Sequence, residues 1–294
     1  MDELLIIVVR GVGIGSLYGL IAIALNVAYN ATGVLNFAQG QLLVLAGVMT
    51  YLWVPHGTGV ADPVWWLAFI VVILAMALAG AVQGLVTLLP MRRKGGSHSW
   101  VPTTIAASVI IGALLILWIG PQVVHVPNYF GSVPVAGSTV PGAYLLLFVA
   151  MILIWAGLRW YQRKSLTGLA LSAVSQDLDA ARTAGVPTMR LQLFSFALAA
   201  GITAIAGFLG GSVIEVADSS GLHYTTFGFV VAVVGGIGNN VGAVIAGPLF
   251  GILLMFVTYQ FGGGLQVVAA LAVVIVVLML KPEGIFGRPH ARRV

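Results

Sequence analysis

Residues 65–89 read WWLAFIVVILAMALAGAVQGLVTLL, without a single Lys, Arg, Asp or Glu. A helix needs roughly 20 apolar residues to cross the hydrocarbon core of a bilayer, and this stretch exceeds that length. Residues 101–124 are likewise free of Lys, Arg, Asp and Glu. The whole chain follows suit: of 294 residues, 60% are hydrophobic and 7% charged, with a mean hydropathy of +1.08. Soluble domains carry about 25% charged residues. The dyad alternation of a transmembrane barrel is missing, so the spans read as helices, the simplest way to satisfy every backbone group inside lipid. The expected fold is all-α: a polytopic integral membrane protein, one domain over 1–294, with about 8–9 transmembrane helices, some short or broken.

Working outward, spans are expected near 4–29, 35–54, 64–90, 101–120, 141–161, 190–213, 241–260 and 265–281. The apolar segment 223–237 is too short for a comfortable upright crossing and reads either as a short tilted span or as re-entrant. The net charge of +5 gathers in three clusters: Arg92 to Lys94, then Arg159, Arg163, Lys164, Arg182 and Arg190, then Lys281 to Arg293. All lie at ends of hydrophobic spans, which is the positive-inside pattern and not a nucleic-acid surface. Residues 55–63, 121–140 and 214–222 contain no Lys or Arg and are expected outside. Parity then puts the N-terminus outside and the C-terminus in the cytoplasm. The acidic opening Met1-Asp2-Glu3 is unlike a cleavable signal peptide, so the first segment is expected to be kept as a helix.

Small residues recur every fourth position at Gly11, Gly15 and Gly19, at Gly80 and Gly84, at Ala199, Thr203, Gly207 and Gly211, and at Ala243, Gly247 and Gly251. Such ladders let helix backbones approach closely in lipid. They serve either packing inside one bundle or a seam between subunits.

Two Gly- and amide-rich interruptions stand out, GVLNFAQGQ at 33–41 and GGIGNNVG at 235–242. Each precedes a span rich in small residues. Broken helices at membrane depth survive only where protein or a water-filled cavity satisfies the backbone, and in transporters they often lie near the substrate. Asn36, Gln39, Gly40, Gln41, Gly235, Gly236, Gly238, Asn239 and Asn240 are therefore the candidate translocation-path residues. The plain alternative is that both breaks are ordinary interfacial turns. No span carries the mid-bilayer Asp, Glu or His relay of a proton-driven pump, and no catalytic triad or metal-ligand spacing is present. With no Cys in the chain, disulfides and thiol catalysis are excluded. A pathway of this kind suits a neutral or zwitterionic solute.

One stretch has no membrane purpose: LSAVSQDLDAARTAG, residues 171–185, polar and helix-forming in a cytoplasmic loop of about 162–190. It is expected to form one helix ending at Gly185-Val186-Pro187. Small and mildly acidic, it lacks the opposed apolar and basic faces of a membrane-surface helix and suits docking in a protein cleft.

Three stretches resemble the permease subunits of branched-chain amino acid ABC importers, with their urea and amide relatives: residues 15–47, 175–211 and 229–253. Their order and spacing cover nearly the whole chain. The resemblance implies that Ser175, Asp177, Asp179, Ala180, Ala181, Arg182 and Gly185 form a coupling helix received by an ATPase subunit. Asp179 stands where the family more often has Glu, Gln39 where it often has His, and Gln41 where it often has an acid. It also implies two cytoplasmic ATPase subunits that hold ATP and Mg, an external solute-binding protein, and a second permease that is a paralogue sooner than a copy. The expected home is a bacterial inner membrane. The chain has no GxxxxGK[ST] loop, so it is not read as an enzyme and no cofactor is expected on it. Branched-chain amino acids are the first expected solute, with urea or short amides as the alternative. A passive channel is a more distant one: Asn36-Phe37-Ala38 faintly resembles the Asn-Pro-Ala starts of aquaporin half-helices, with Phe37 replacing Pro.

Overall fold

Glycine spacing decides which helices touch. The computed structural model describes residues 2–54, 59–94, 100–135 and 137–287. In it α1 (Asp2–Thr32) lies against α10 (Asn240–Phe261) through Gly11, Gly15 and Gly19 on one side and Ala243, Gly247 and Gly251 on the other. A Cβ on Gly11 would stand 2.5 Å from the Ile252 Cα, so the two backbones meet with nothing between them. This ladder packs one chain and is not a subunit seam. The Gly80 and Gly84 ladder on α3 (Pro63–Lys94) does the same against Phe196 and Ala200 of α8 (Thr188–Gly210).

Seven helices among the described residues are long and apolar enough to cross a membrane: α1, α3, α4 (Trp100–Ile119), α5 (Ala143–Lys164), α8, α10 and α11 (Gln266–Leu280, extended by a 3-10 turn at Gly263–Leu265). Two more are apolar but short, α2 (Gln39–Trp53) and α9 (Ser220–Gly235). At about 1.5 Å per residue each covers roughly 23 Å, less than the ~30 Å hydrocarbon core. The expected full span at 35–54 is thus corrected: residues 33–38 are not helical, and the helix begins only at Gln39. Segment 223–237 is short, as its length required.

The two short helices occupy equivalent places in an inverted repeat. The long α1 is followed by a non-helical stretch, the half-length α2, then α3 and α4. The long α8 is followed by residues 211–219, the half-length α9, then α10 and α11. The packing obeys the same exchange. α1 rests chiefly on α10 as α8 rests on α3, α8 meets α2 as α1 meets α9, and α4 touches α2 as α11 touches α9. Helix α5 stands outside the repeat, beside α1.

The two ends of the bundle differ in charge. One carries Arg159, Arg163, Lys164, Arg182, Arg190 and Lys281 against Asp177, Asp179 and Glu283, the other Glu3, Asp62, Glu215 and Asp218 against Arg10, whose guanidinium donates to the Thr139 carbonyl. The basic end is tied together: Val34, Leu88 and Phe196 form one small cluster, Val174, Ala181 and Leu191 another. The Ile285 N–H donates to the Val234 carbonyl, so the turn after α9 and the segment after α11 share that end. A hairpin of β1 (Ser132–Val135) and β2 (Ser138–Pro141) covers part of the other end. The side chains of Arg92 to Lys94, residues 55–58 of the expected outer loop, and residues 288–294 of the third basic cluster lie outside the described residues.

Candidate functional site

The first break is sealed in the middle of the bundle. Gln39 donates from Nε2 to the carbonyl of Ala199 at 2.9 Å and to Thr203 Oγ1. Ala199 lies eleven residues from either end of α8, so Gln39 sits at half depth. Asn36 donates to Gln39 Oε1 at 3.0 Å and to Gln83 Oε1 at 3.1 Å, while its own Oδ1 accepts from Gln83 Nε2 at 2.6 Å and from the Ala38 N–H at 3.0 Å. All three amides are buried. Unpaired, each polar group here would cost about 1–3 kcal/mol, so the cluster is what permits a helix to start at this depth.

The start of α9 meets the start of α2. The Gly40 N–H donates to Thr225 Oγ1 at 2.8 Å, and that hydroxyl reaches the carbonyls of Phe37 and Gly221 at 3.1 Å each. A Cβ at Gly40 would stand 2.6 Å from both the nitrogen and the hydroxyl of Thr225, so only glycine fits. Gln41 donates to the Asp218 carbonyl at 2.8 Å and packs on Gly221. Tyr18, next to the midpoint of α1, lies edge-on to Phe227. The two half-helices therefore meet N-terminus to N-terminus near half depth, α2 running to the acidic end and α9 to the basic one. Part of the expected outer loop 214–222 dips inward to make this meeting, with Val216 buried and bridged to Val124.

The second break is a different object. Gly236 and Gly238 adopt φ of +91° and +84°, turning the chain at the basic end. Asn26 Oδ1 accepts from the Gly238 N–H at 2.8 Å, and Asn30 donates to its carbonyl at 2.9 Å. Asn239 caps α10, accepting from the amides of Val241 and Gly242, and donates to the Phe286 carbonyl. This is a capped turn at the end of the bundle. The structure does not bring Gly235, Gly236, Gly238, Asn239 and Asn240 together with Asn36, Gln39, Gly40 and Gln41.

The polar loop forms two helices, not one, correcting the expected helix over 171–185: α6 (Leu166–Gln176) and α7 (Leu178–Thr183). Asp177 is extended between them, and its Oδ1 accepts from the amides of Asp179 and Ala180 at 3.0 Å each. A residue that caps a new helix start cannot lie inside a continuous one. Gly185, at φ +80°, ends α7, with the Val186 N–H donating to the Ala181 carbonyl. Ala181 is buried against Val174 and Leu191 and anchors the pair to the bundle. Ser175, Asp177, Asp179, Ala180, Arg182 and Gly185 are exposed, Asp179 with 90% of its side chain free and an ion pair to Arg182 at 3.5 Å.

The sequence did not point to Gln83 or Thr225, and it gave Thr203 only as a ladder residue, not as the partner of Gln39. Gln83 was the one amide in an uncharged span, a signal that could have been weighed. On the outer face of α9, Leu222 is exposed and His223, Thr226 and Phe229 are half-exposed, with Phe37 beside Phe229. At comparable depth the outward faces of α3, α4 and α11 carry Leu74 and Leu78, Val109 and Ile110, and Leu271 and Ile275.

The match to known proteins agrees with this architecture. The family model for the branched-chain amino acid transport system permease component matches residues 7–280. The chain belongs to this family. It is 27% identical to the high-affinity branched-chain amino acid transport system permease protein BraD of Pseudomonas aeruginosa, over 97% of this chain and 96% of the relative. Likeness to LivH of Escherichia coli is the same in identity and coverage. The probable LivH of Methanocaldococcus jannaschii is 28% identical over 91% of this chain and 88% of its own length. No solved structure matches. A transport permease is not an enzyme, and the long apolar helices make this one a multi-pass membrane protein.

Proposed function

We propose that this chain is the membrane subunit of an ABC importer that moves a neutral or zwitterionic amino acid, branched-chain amino acids foremost, inward across a bacterial plasma membrane. The observation that carries the reading is the α6–α7 pair. Each of its helices has a side-chain N-cap, Ser165 for α6 and Asp177 for α7, and the pair is anchored by Ala181 and offers Asp179, Ala180 and Gly185 to whatever binds the basic end. In this reading two ATPase subunits grip it, ATP and Mg being held on them, and their closure moves the bundle as a body. The basic end and the C-terminus are cytoplasmic, and an external binding protein delivers solute to the acidic end. A second permease, a paralogue sooner than a copy, completes the membrane part.

The buried amides Asn36, Gln39 and Gln83 satisfy one another and hold the half-helices in place. The solute is assigned to the outer face of α9, where His223 and Thr226 offer polar groups at half depth opposite the second permease. A passive channel between the half-helices is disfavoured by the direct Gly40–Thr225 contact, which leaves no opening there. Reconstitution tests the whole: uptake of radiolabelled leucine into proteoliposomes is expected only with partner ATPases, ATP and binding protein present. ATP-independent flux through the chain alone would overturn it.

A further inference from the structure

The outer face of α9 changes character along its length. His223 and Thr226 lie three residues apart and Phe229 three further on, so each is the helical neighbour of the next. All three are half-exposed. The His223 ring is held edge-on against the buried Phe227, 4.1 Å between centroids, and a neutral imidazole offers one donor and one acceptor nitrogen. The Thr226 hydroxyl donates to the Leu222 carbonyl at 2.8 Å, which keeps its lone pairs for an incoming donor. Phe229 sits a turn nearer the basic end. Phe37 lies beside it, 6.1 Å between centroids with the rings tilted by 45°. Phe37 comes from the first break, and its carbonyl accepts from the Thr225 hydroxyl at 3.1 Å, so the break fixes its backbone against α9.

Lipid does not suit this face. A histidine inside the bilayer is costly unless it meets protein, water or a ligand, and the outward faces of α3, α4 and α11 show Leu74, Val109 and Ile275 at comparable depth. The occupant that satisfies the whole face has a polar head with donors and acceptors and an apolar body one turn away along α9. An amino acid zwitterion with an aliphatic side chain has both. Urea and short amides have only the head, and a lipid tail only the body. We propose that Phe37 and Phe229 form a side-chain filter: with the head of an amino acid on His223 and Thr226, its aliphatic side chain packs on the two rings, and the extent of that contact sets which amino acids pass. The filter rests on the import of amino acids proposed above. It makes the membrane subunit select a second time, after the external binding protein.

Uptake into proteoliposomes tests this, with partner ATPases, ATP and binding protein saturated in turn with leucine and with valine. The two solutes differ by one methylene, whose burial is worth about fourfold. Every preparation uses the same binding protein, so its own preference cancels in the comparison with the unaltered chain. Phe37→Ala combined with Phe229→Ala is expected to lower the leucine-to-valine uptake ratio roughly threefold. His223→Leu is expected to lower uptake of both solutes and leave the ratio unchanged, as a contact to the shared head requires. Ile275→Ala, which removes apolar surface from the outer face of α11, is expected to change neither. Should the double alanine variant misfold, Phe229→Leu alone, which narrows the platform and keeps it apolar, is expected to lower the ratio about twofold. An unchanged ratio in a folded, transporting variant of Phe37 and Phe229 would overturn the filter and leave the face to lipid or to the second permease, while the import reading stands. Absence of uptake of either solute by the unaltered, fully assembled complex would overturn the import reading and the filter with it.

Discussion

The two Gly- and amide-rich breaks look alike in sequence and serve opposite purposes in the fold. At 33–41 the amides turn inward on one another at half depth, and every contact of Asn36 is to another buried group. At 235–242 the amides cap a helix and fasten a turn at the bundle's basic end. The difference teaches that composition marks where a helix stops, while depth decides what the stop costs. A turn at an interface can use water for its free N–H groups. One inside the bundle must carry its partners with it. The true counterpart of the first break is residues 211–219, which lack its amide signature and hold α9 at the matching depth.

This contrast can be broken by substitution. The largest effect is expected from Gly40→Val, because its side chain would occupy the space of the Thr225 nitrogen and hydroxyl; no monodisperse protein should emerge in size-exclusion chromatography. Asn36→Leu comes next. It strands Gln83, Gln39 and the Ala38 N–H, at a cost of about 3 kcal/mol or more, read as a lowered Tm in detergent. Adding Gln83→Leu should recover part of that loss, since two apolar partners leave fewer groups orphaned than one. At the other break, Asn239→Ala removes a helix cap and is expected to cost only about 1 kcal/mol. If Asn239→Ala proved as damaging as Asn36→Leu, the distinction between the two breaks would fall. Asp179→Arg is expected to lower Tm only slightly, because the side chain is exposed and its ion pair with Arg182 is a surface one, yet to abolish co-purification with the partner ATPase.

How far the sequence could be read follows the same division. Uncharged runs such as residues 65–89 and the distribution of Lys and Arg were enough to place the long helices and the polarity of the ends. The four-residue ladders marked close packing, although their partners, α1 with α10 and α3 with α8, follow from a repeat too diverged to see in one sequence. Asn36, Gln39 and Gly40 were identifiable as a helix start. Their depth was not, because it depends on Ala199, Thr203 and Thr225, which lie some 160 to 190 residues away. The split of the polar loop into α6 and α7 was hidden for a local reason. Asp177 reads as a surface residue of one helix until its carboxylate is seen to accept the amides two and three residues on.

We have proposed that the solute passes along the outer face of α9, and the chain's freedom from cysteine makes that proposal directly accessible. Thr226→Cys is introduced, the chain is reconstituted with partner ATPases, binding protein and ATP, and leucine uptake is measured after treatment with a membrane-impermeant maleimide. The account predicts that labelling blocks uptake and that excess leucine with binding protein slows the labelling. Full uptake after quantitative modification of that position would contradict it.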